Sequence, residues 1–165
     1  MAVLDTLMWP IHRYMHSLTD ALNSENWNEF LKNCCETRFN YKVVNYSPEI
    51  RKTQVWANRE YGVLKKSFDL LPRHNSDRSK LTRQIIIKNV ELSDNPNIAK
   101  VASSFVIYKT HLDDIDSHLL SGVTDLYAIG EYRDELSIEK DQFKLIDRVV
   151  SLDTRQLDIG SHKIF

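Results

Sequence analysis

His12 and His16 stand four residues apart in a helical pattern, the separation at which two imidazoles can share a metal ion. A third ligand is required, and the neighbouring carboxylates, Asp5 and Asp20, fall beyond easy reach on that helix, so the pair reads as solvated helix-edge histidines. An iron–sulfur centre built on two cysteines and two histidines is excluded by spacing, because Cys34 and Cys35 are adjacent and neither has a Cys-x-His pairing. Two histidines and a carboxylate would hold a mononuclear iron, and His74, His111, His118 and His162 remain, yet no two of them have a ligand spacing. Asp113, Asp114 and Asp116 lack the glycine and terminal glutamate of a calcium loop. There is no Gly-x-Ser-x-Gly elbow, no cysteine in a basic setting and, with four glycines in the chain, no phosphate-cradling loop. No metal, cofactor or covalent catalyst is expected within these residues.

Acid–base chemistry is the remaining enzymatic option. A buried aspartate with a histidine or tyrosine beside it can take a proton next to a carbonyl once burial raises its pKa. Asp125 and Asp147 fall in strand patterns, with His111, Tyr108, Tyr127 and Tyr132 as possible assistants. Arg133 and Arg148 are also at hand, and aspartates in strands commonly pair with arginine. Directional arginine–carboxylate forks that hold strand register or clamp a neighbouring subunit are therefore the expected role.

The elements that position these groups follow from periodicity. Leu4, Leu7, Met8, Ile11, Tyr14, Met15, Leu18, Ala21 and Leu22 recur at three- and four-residue steps and predict a helix, either starting near Pro10 or kinked there after a first turn from Asp5 or Thr6. Ser24 is the expected N-cap of a short second helix that carries Trp27, Phe30, Leu31 and Cys34 on one face. Residues 37–46 alternate and predict a strand ended by Pro48; a third helix is expected from Asn58 to Leu71, with Pro72 as its stop. The polar run from Arg73 to Lys80 reads as a long connection. Strands are expected over 82–92, 98–112, 122–138 and 142–156, joined by a turn at Asp94–Asn97 and a hairpin at Glu139–Asp141. Gly130 is expected to mark a bulge or bend.

Helices followed by a strand meander give an α+β class, helices on one face of a curved, mainly antiparallel sheet, in a single domain over residues 1–165. The strand centres are apolar on both parities: Ile85, Ile86 and Ile87, Val106 and Tyr108 beside Phe105 and Ile107, and Ile146 and Val150 beside Leu145 and Val149. A sheet with one wet face alternates cleanly, so a second subunit is expected to cover the other face. Twenty-two basic against 23 acidic residues leave a net charge of −1, which gives no field to gather nucleic acid or anionic lipid. With no long apolar run, no leader pattern in the first 23 residues and no disulfide framework, a cytoplasmic protein without membrane contact is expected.

Four blocks in the second half of the chain carry a resemblance. These are Leu81-Thr82-Arg83 leading into Ile87-Lys88-Asn89-Val90; Val101-Ala102-Ser103-Ser104-Phe105-Val106-Ile107-Tyr108; Gly130-Glu131-Tyr132-Arg133-Asp134-Glu135-Leu136; and Leu145-Ile146-Asp147-Arg148-Val149-Val150-Ser151-Leu152-Asp153. In order and spacing they resemble the beta subunits of Rieske non-haem iron aromatic-ring-hydroxylating dioxygenases. Ser104 stands where that family often has asparagine, and residues 72–80 depart from its common segment and resemble the alkanesulfonate-oxidising relatives. The resemblance implies a cone-shaped fold of the nuclear transport factor 2 (SnoaL-like) type. It also implies a homotrimer of beta subunits within an α3β3 hexamer, whose catalytic alpha subunit holds a Rieske [2Fe-2S] cluster and mononuclear iron. This chain would then be structural, with no catalytic, cofactor or metal residue, and Arg83, Arg133, Asp134, Arg148 and Asp153 would form ion pairs that fix the sheet or the subunit contacts. The competing readings are a stand-alone cone-fold dehydratase, isomerase or cyclase using Asp125, Asp147 or His111, and a non-enzymatic module for a small apolar ligand or peptide.

Overall fold

The computed structural model describes residues 2–74, 79–112, 121–140, 142–157 and 164–165. Asp113, Asp114, Asp116, His118 and His162, weighed above, lie outside them, as does the side chain of His74. Helices α1 (Ala2–Asn23), α2 (Trp27–Lys32) and α3 (Tyr61–His74) accompany strands β1 (Asn40–Ser47), β2 (Lys52–Glu60), β3 (Lys80–Leu92), β4 (Ile98–Thr110), β5 (Thr124–Glu139) and β6 (Gln142–Leu152). The six strands form one sheet in the order β2-β1-β6-β5-β4-β3. Every neighbouring pair is antiparallel except β1 with β6, which run parallel.

Curvature has a local cause. Each antiparallel pair carries a register shift, at Val43/Val44, Ile87/Asn89, Ile107/Tyr108 and Glu135/Leu136. An extra residue on one strand bends it and increases its twist, and four such sites wrap the sheet around the helices. Inside, α1 lays Ile11, Met15, Leu18 and Leu22 against β3, all fully buried, each contributing about 2 kcal/mol of burial. Trp27 stacks on Phe68 at 4.8 Å, and Phe30 meets Phe39 and Phe68 edge-on, which ties α2, α3 and the entry to β1 together.

Several boundaries differ from the sequence expectation. α1 begins at Ala2 and carries Pro10 inside it, so the proline neither starts nor ends the helix. Asn26, not Ser24, caps α2: its side chain accepts from the Glu29 amide at 3.2 Å, while the Ser24 hydroxyl donates back to the Asp20 carbonyl. Strand β2 was not expected at all, and α3 consequently starts at Tyr61 and runs through Pro72 to His74. β2 is an edge strand whose side chains are exposed or at most half-buried, so it has no apolar alternation to betray it.

Gly130 serves close approach. The register shift nearest to it lies at Tyr108 against Leu126, whereas Gly130 itself pairs regularly with Phe105 and Leu152. A Cβ there would overlap the Ser151 carbonyl oxygen and lie 2.9 Å from the Phe105 ring. Gly130→Ala is expected to cost about 2–3 kcal/mol of overpacking, read as a lower urea midpoint at unchanged slope; an unmoved midpoint would show that the ladder yields freely here.

Candidate functional site

The register of β5 and β6 sets Asp134 directly opposite Arg148 on the inner face of the sheet. Arg148 donates from Nε and Nη2 to the two carboxylate oxygens at 2.8 and 2.9 Å, a two-pronged fork with both side chains at most 2% exposed. The guanidinium lies 4.4 Å from the Tyr132 ring centroid and 5.8 Å from that of Phe30. Burial pulls the Arg148 pKa down, but the Asp134 charge and hydrogen bonds outweigh it and the net shift is upward. Arg148 therefore keeps its charge, and the two-pronged fork locks the β5–β6 register from within.

The other expected ion-pair residues are placed differently. Arg83 is also buried, but its Nη1 donates to the Leu22 carbonyl at 3.2 Å and its Nη2 to the Ile164 carbonyl, and no described carboxylate lies within ion-pair range. Burial lowers its pKa. Arg133 and Asp153 are exposed, and neither makes an ion pair among the described residues; the Asp153 amide donates to the Ile129 carbonyl at 3.0 Å.

The acid–base candidates do not converge. His111 Nε2 lies 3.0 Å from Asp125 Oδ2, but the pair is at the start of β5 with Asp125 61% exposed. Asp147 pairs across the ladder with Glu135, ten residues further along the same strand and so about 30 Å away. Desolvation, then the Glu135 charge, raises the Asp147 pKa, while Asn40 Nδ2, donating to it at 3.4 Å, lowers it. Tyr132 points inward, over Arg148. His16 and Asp20 line a cavity of about 390 Å³ between α1 and β3. Among the described residues no three His, Cys, Asp or Glu side chains gather to hold a metal ion, and no helix is long and apolar enough to cross a membrane.

Cys34 is buried, its thiol donates to the Phe30 carbonyl at 3.4 Å, and burial pushes its pKa up to about 12. A thiol alkylating reagent at mildly alkaline pH is expected to label the half-buried Cys35 and to spare Cys34 until the chain unfolds. The folded-state proton also binds more tightly than in the unfolded chain, where the thiol has its ordinary pKa near 9.0. The contribution of this site is thus complete below pH 9 and falls as pH rises towards 12. Alkaline titration of a Cys34→Ala variant, whose stability should fall less steeply over that interval, checks the sign.

What sequence reasoning missed is the pattern of the outer face. Reading across the paired strands from β1, one row runs Asn40, Asp147, Glu135, Lys100, Glu91, and the next Lys42, Val149, Arg133, Ala102, Asn89. A cavity of about 360 Å³ sits over this charged end. At the other end Val106 and Tyr108 are half-covered, while Ile86, Leu126 and Ile129 are 70%, 61% and 38% exposed. The signal available in the sequence was the double-sided apolar strand; which residues share a row required the register shifts.

No protein-family model matches the chain. It is 34% identical over 152 residues to the hydroxylase beta subunit of methanesulfonate monooxygenase from Methylosulfonomonas methylovora, covering 92% of this chain and 83% of that one. It is 26% identical, over 92% of this chain and 95% of the other, to the beta subunit of 2-aminobenzenesulfonate 2,3-dioxygenase from an Alcaligenes species. Among solved structures, a beta subunit assigned to an aromatic-ring-hydroxylating dioxygenase of Novosphingobium aromaticivorans superposes with a TM-score of 0.76 at 16% identity, over 98% of this chain and 99% of that one. A nuclear transport factor 2-like protein of Shewanella oneidensis gives 0.54 at 11% identity, over 87% and 98%. With its helices packed in a curved, mainly antiparallel sheet of the nuclear transport factor 2 type, the chain belongs to the family of beta subunits of ring-hydroxylating dioxygenases and related monooxygenases.

Proposed function

We propose that this chain is the scaffold of a sulfonate-oxidising oxygenase, joined through its outer sheet face to copies of itself and to a catalytic alpha subunit in an α3β3 hexamer. The observation that carries the reading is that face, on which Ile86 and Leu126 stand largely bare and Ile129 partly so beside ordered rows of charge. Apolar side chains exposed together, rimmed by polar ones, are the mark of a protein interface. The alpha subunit supplies the Rieske cluster and the mononuclear iron. A sulfonate substrate is favoured because both sequence relatives are subunits of enzymes named for sulfonates. Arg133 and Asp153, exposed and without ion-pair partners among the described residues, are assigned to contacts between subunits, while Arg148, Asp134 and Arg83 act inside this one. The chain acts as a single domain, in the cytoplasm.

Co-expression with candidate alpha subunits tests this. Native mass spectrometry should return a coloured, iron-bearing complex of three alpha and three beta chains that oxidises a sulfonate when given electrons. Recovery of this chain only as a colourless, free monomer would remove the proposal.

A further inference from the structure

Two arginines enter the interior, and the same two atoms of each are in different situations. Arg148 offers Nε and Nη2 side by side, and Asp134 fills both with its two oxygens. Arg83 offers the same edge, but Nη2 meets the single carbonyl oxygen of Ile164, while Nε is buried with no partner among the described residues. The hydroxyls of Tyr132 and Ser103 are likewise buried without partners among the described residues. An arginine left buried without a counter-charge is costly, and a fork with one tine filled is a site for one more oxygen.

Among the described residues, Ile164 and Phe165, 2% and 6% exposed, fill this space. The Phe165 amide donates to the Tyr41 hydroxyl at 3.0 Å, and the Phe165 ring stacks on Tyr127 at 6.3 Å and 14°. The pair thus presents an aromatic ring, an oxygen on Arg83 and a polar group on Tyr41. A molecule with an aromatic ring and a carboxylate would present the same ring and would supply the second oxygen that the carbonyl lacks.

We propose that the interior lined by Arg83, Tyr41, Tyr127 and Tyr132 is a binding chamber for an aromatic carboxylate, filled in this structure by Ile164–Phe165 as an internal stand-in. The carboxylate takes both Nε and Nη2 of Arg83, the arrangement that Asp134 already makes with Arg148. The ring takes the place of the Phe165 side chain against Tyr127. This goes beyond the scaffold role and does not depend on it.

The probe is 3-phenylpropionate, with neutral 3-phenylpropanamide as its control, titrated calorimetrically into the full chain and into a variant lacking Ile164 and Phe165. The shortened variant is expected to bind the acid at least about tenfold more tightly than the full chain does, and the acid about tenfold more tightly than the amide. Arg83→Gln in the shortened background should remove that preference. Equal affinity for acid and amide, or no gain on shortening in a chain that keeps its near-ultraviolet circular dichroism, overturns the proposal. Should the shortened chain fail to fold, the intact chain decides: saturating acid must shift the Phe165 amide resonance towards its solvent-exposed position, and an unmoved resonance is equally fatal. Assembly with an alpha subunit is measured separately and is indifferent to either result.

Discussion

Asp134→Leu is expected to destabilise the isolated chain by about 3–5 kcal/mol, because it strands a fully buried guanidinium. Against a usual folding stability of about 5–15 kcal/mol that is a large fraction. Arg148 cannot escape by swinging to water: Tyr132 and Phe30 lie against its guanidinium, and the fork is at most 2% exposed. Nor can it readily shed its proton, given the ordinary basicity of guanidinium. The companion experiment separates the cost of breaking the pair from its net worth. Arg148→Met added to Asp134→Leu removes both charges and puts apolar side chains of similar reach in their place, so the double variant should recover at least half of the loss. Urea unfolding gives the midpoints. If Asp134→Leu alone costs less than about 1 kcal/mol, the fork is not what holds β5 against β6.

That fork also marks how far the sequence could be read. Asp134 and Arg148 stand among the five residues that the resemblance marks for ion pairs, with no partners assigned; the structure sets these two opposite each other across the short β5–β6 hairpin. Arg83 was singled out with them, but its partners come from elements far apart in the chain, Leu22 at the end of α1 and Ile164. No periodicity reports that Ile164 and Phe165 pack beside Arg83 and Tyr41, so this contact was illegible. The long central strands and α1 were legible for the opposite reason: Ile11, Met15, Leu18 and Leu22 repeat at helical spacing over several turns. β2 failed because the apolar residues of this exposed edge strand, Val55, Trp56 and Ala57, are consecutive rather than alternating, so it carries neither a 2.0 nor a 3.6 period. The outer-face rows failed for a subtler reason. A single extra residue moves every later side chain to the other face, and four register shifts defeat counting by parity.

Leu126→Asp with Ile129→Asp should abolish recovery of this chain in the oxygenase complex while leaving its own unfolding midpoint where it was. Both side chains already face solvent in the isolated subunit, 61% and 38% exposed, so the folded monomer loses little when they become charged. In an assembled complex the same positions are covered, and each introduced carboxylate would have to be desolvated opposite an apolar partner. That penalty is about 2 kcal/mol or more per site, so the two together weaken association by a factor of about a thousand. Ile50→Asp is the control: it is 54% exposed, but it lies at the β1–β2 turn, away from the rows that run across β3 to β6, and should leave assembly intact. The two measurements pull the explanations apart. Loss of complex with an unchanged midpoint assigns the bare apolar end of the sheet to subunit contact. A complex that survives both aspartates leaves those side chains in water in the assembly too, and the interface must then be sought at another surface of the subunit.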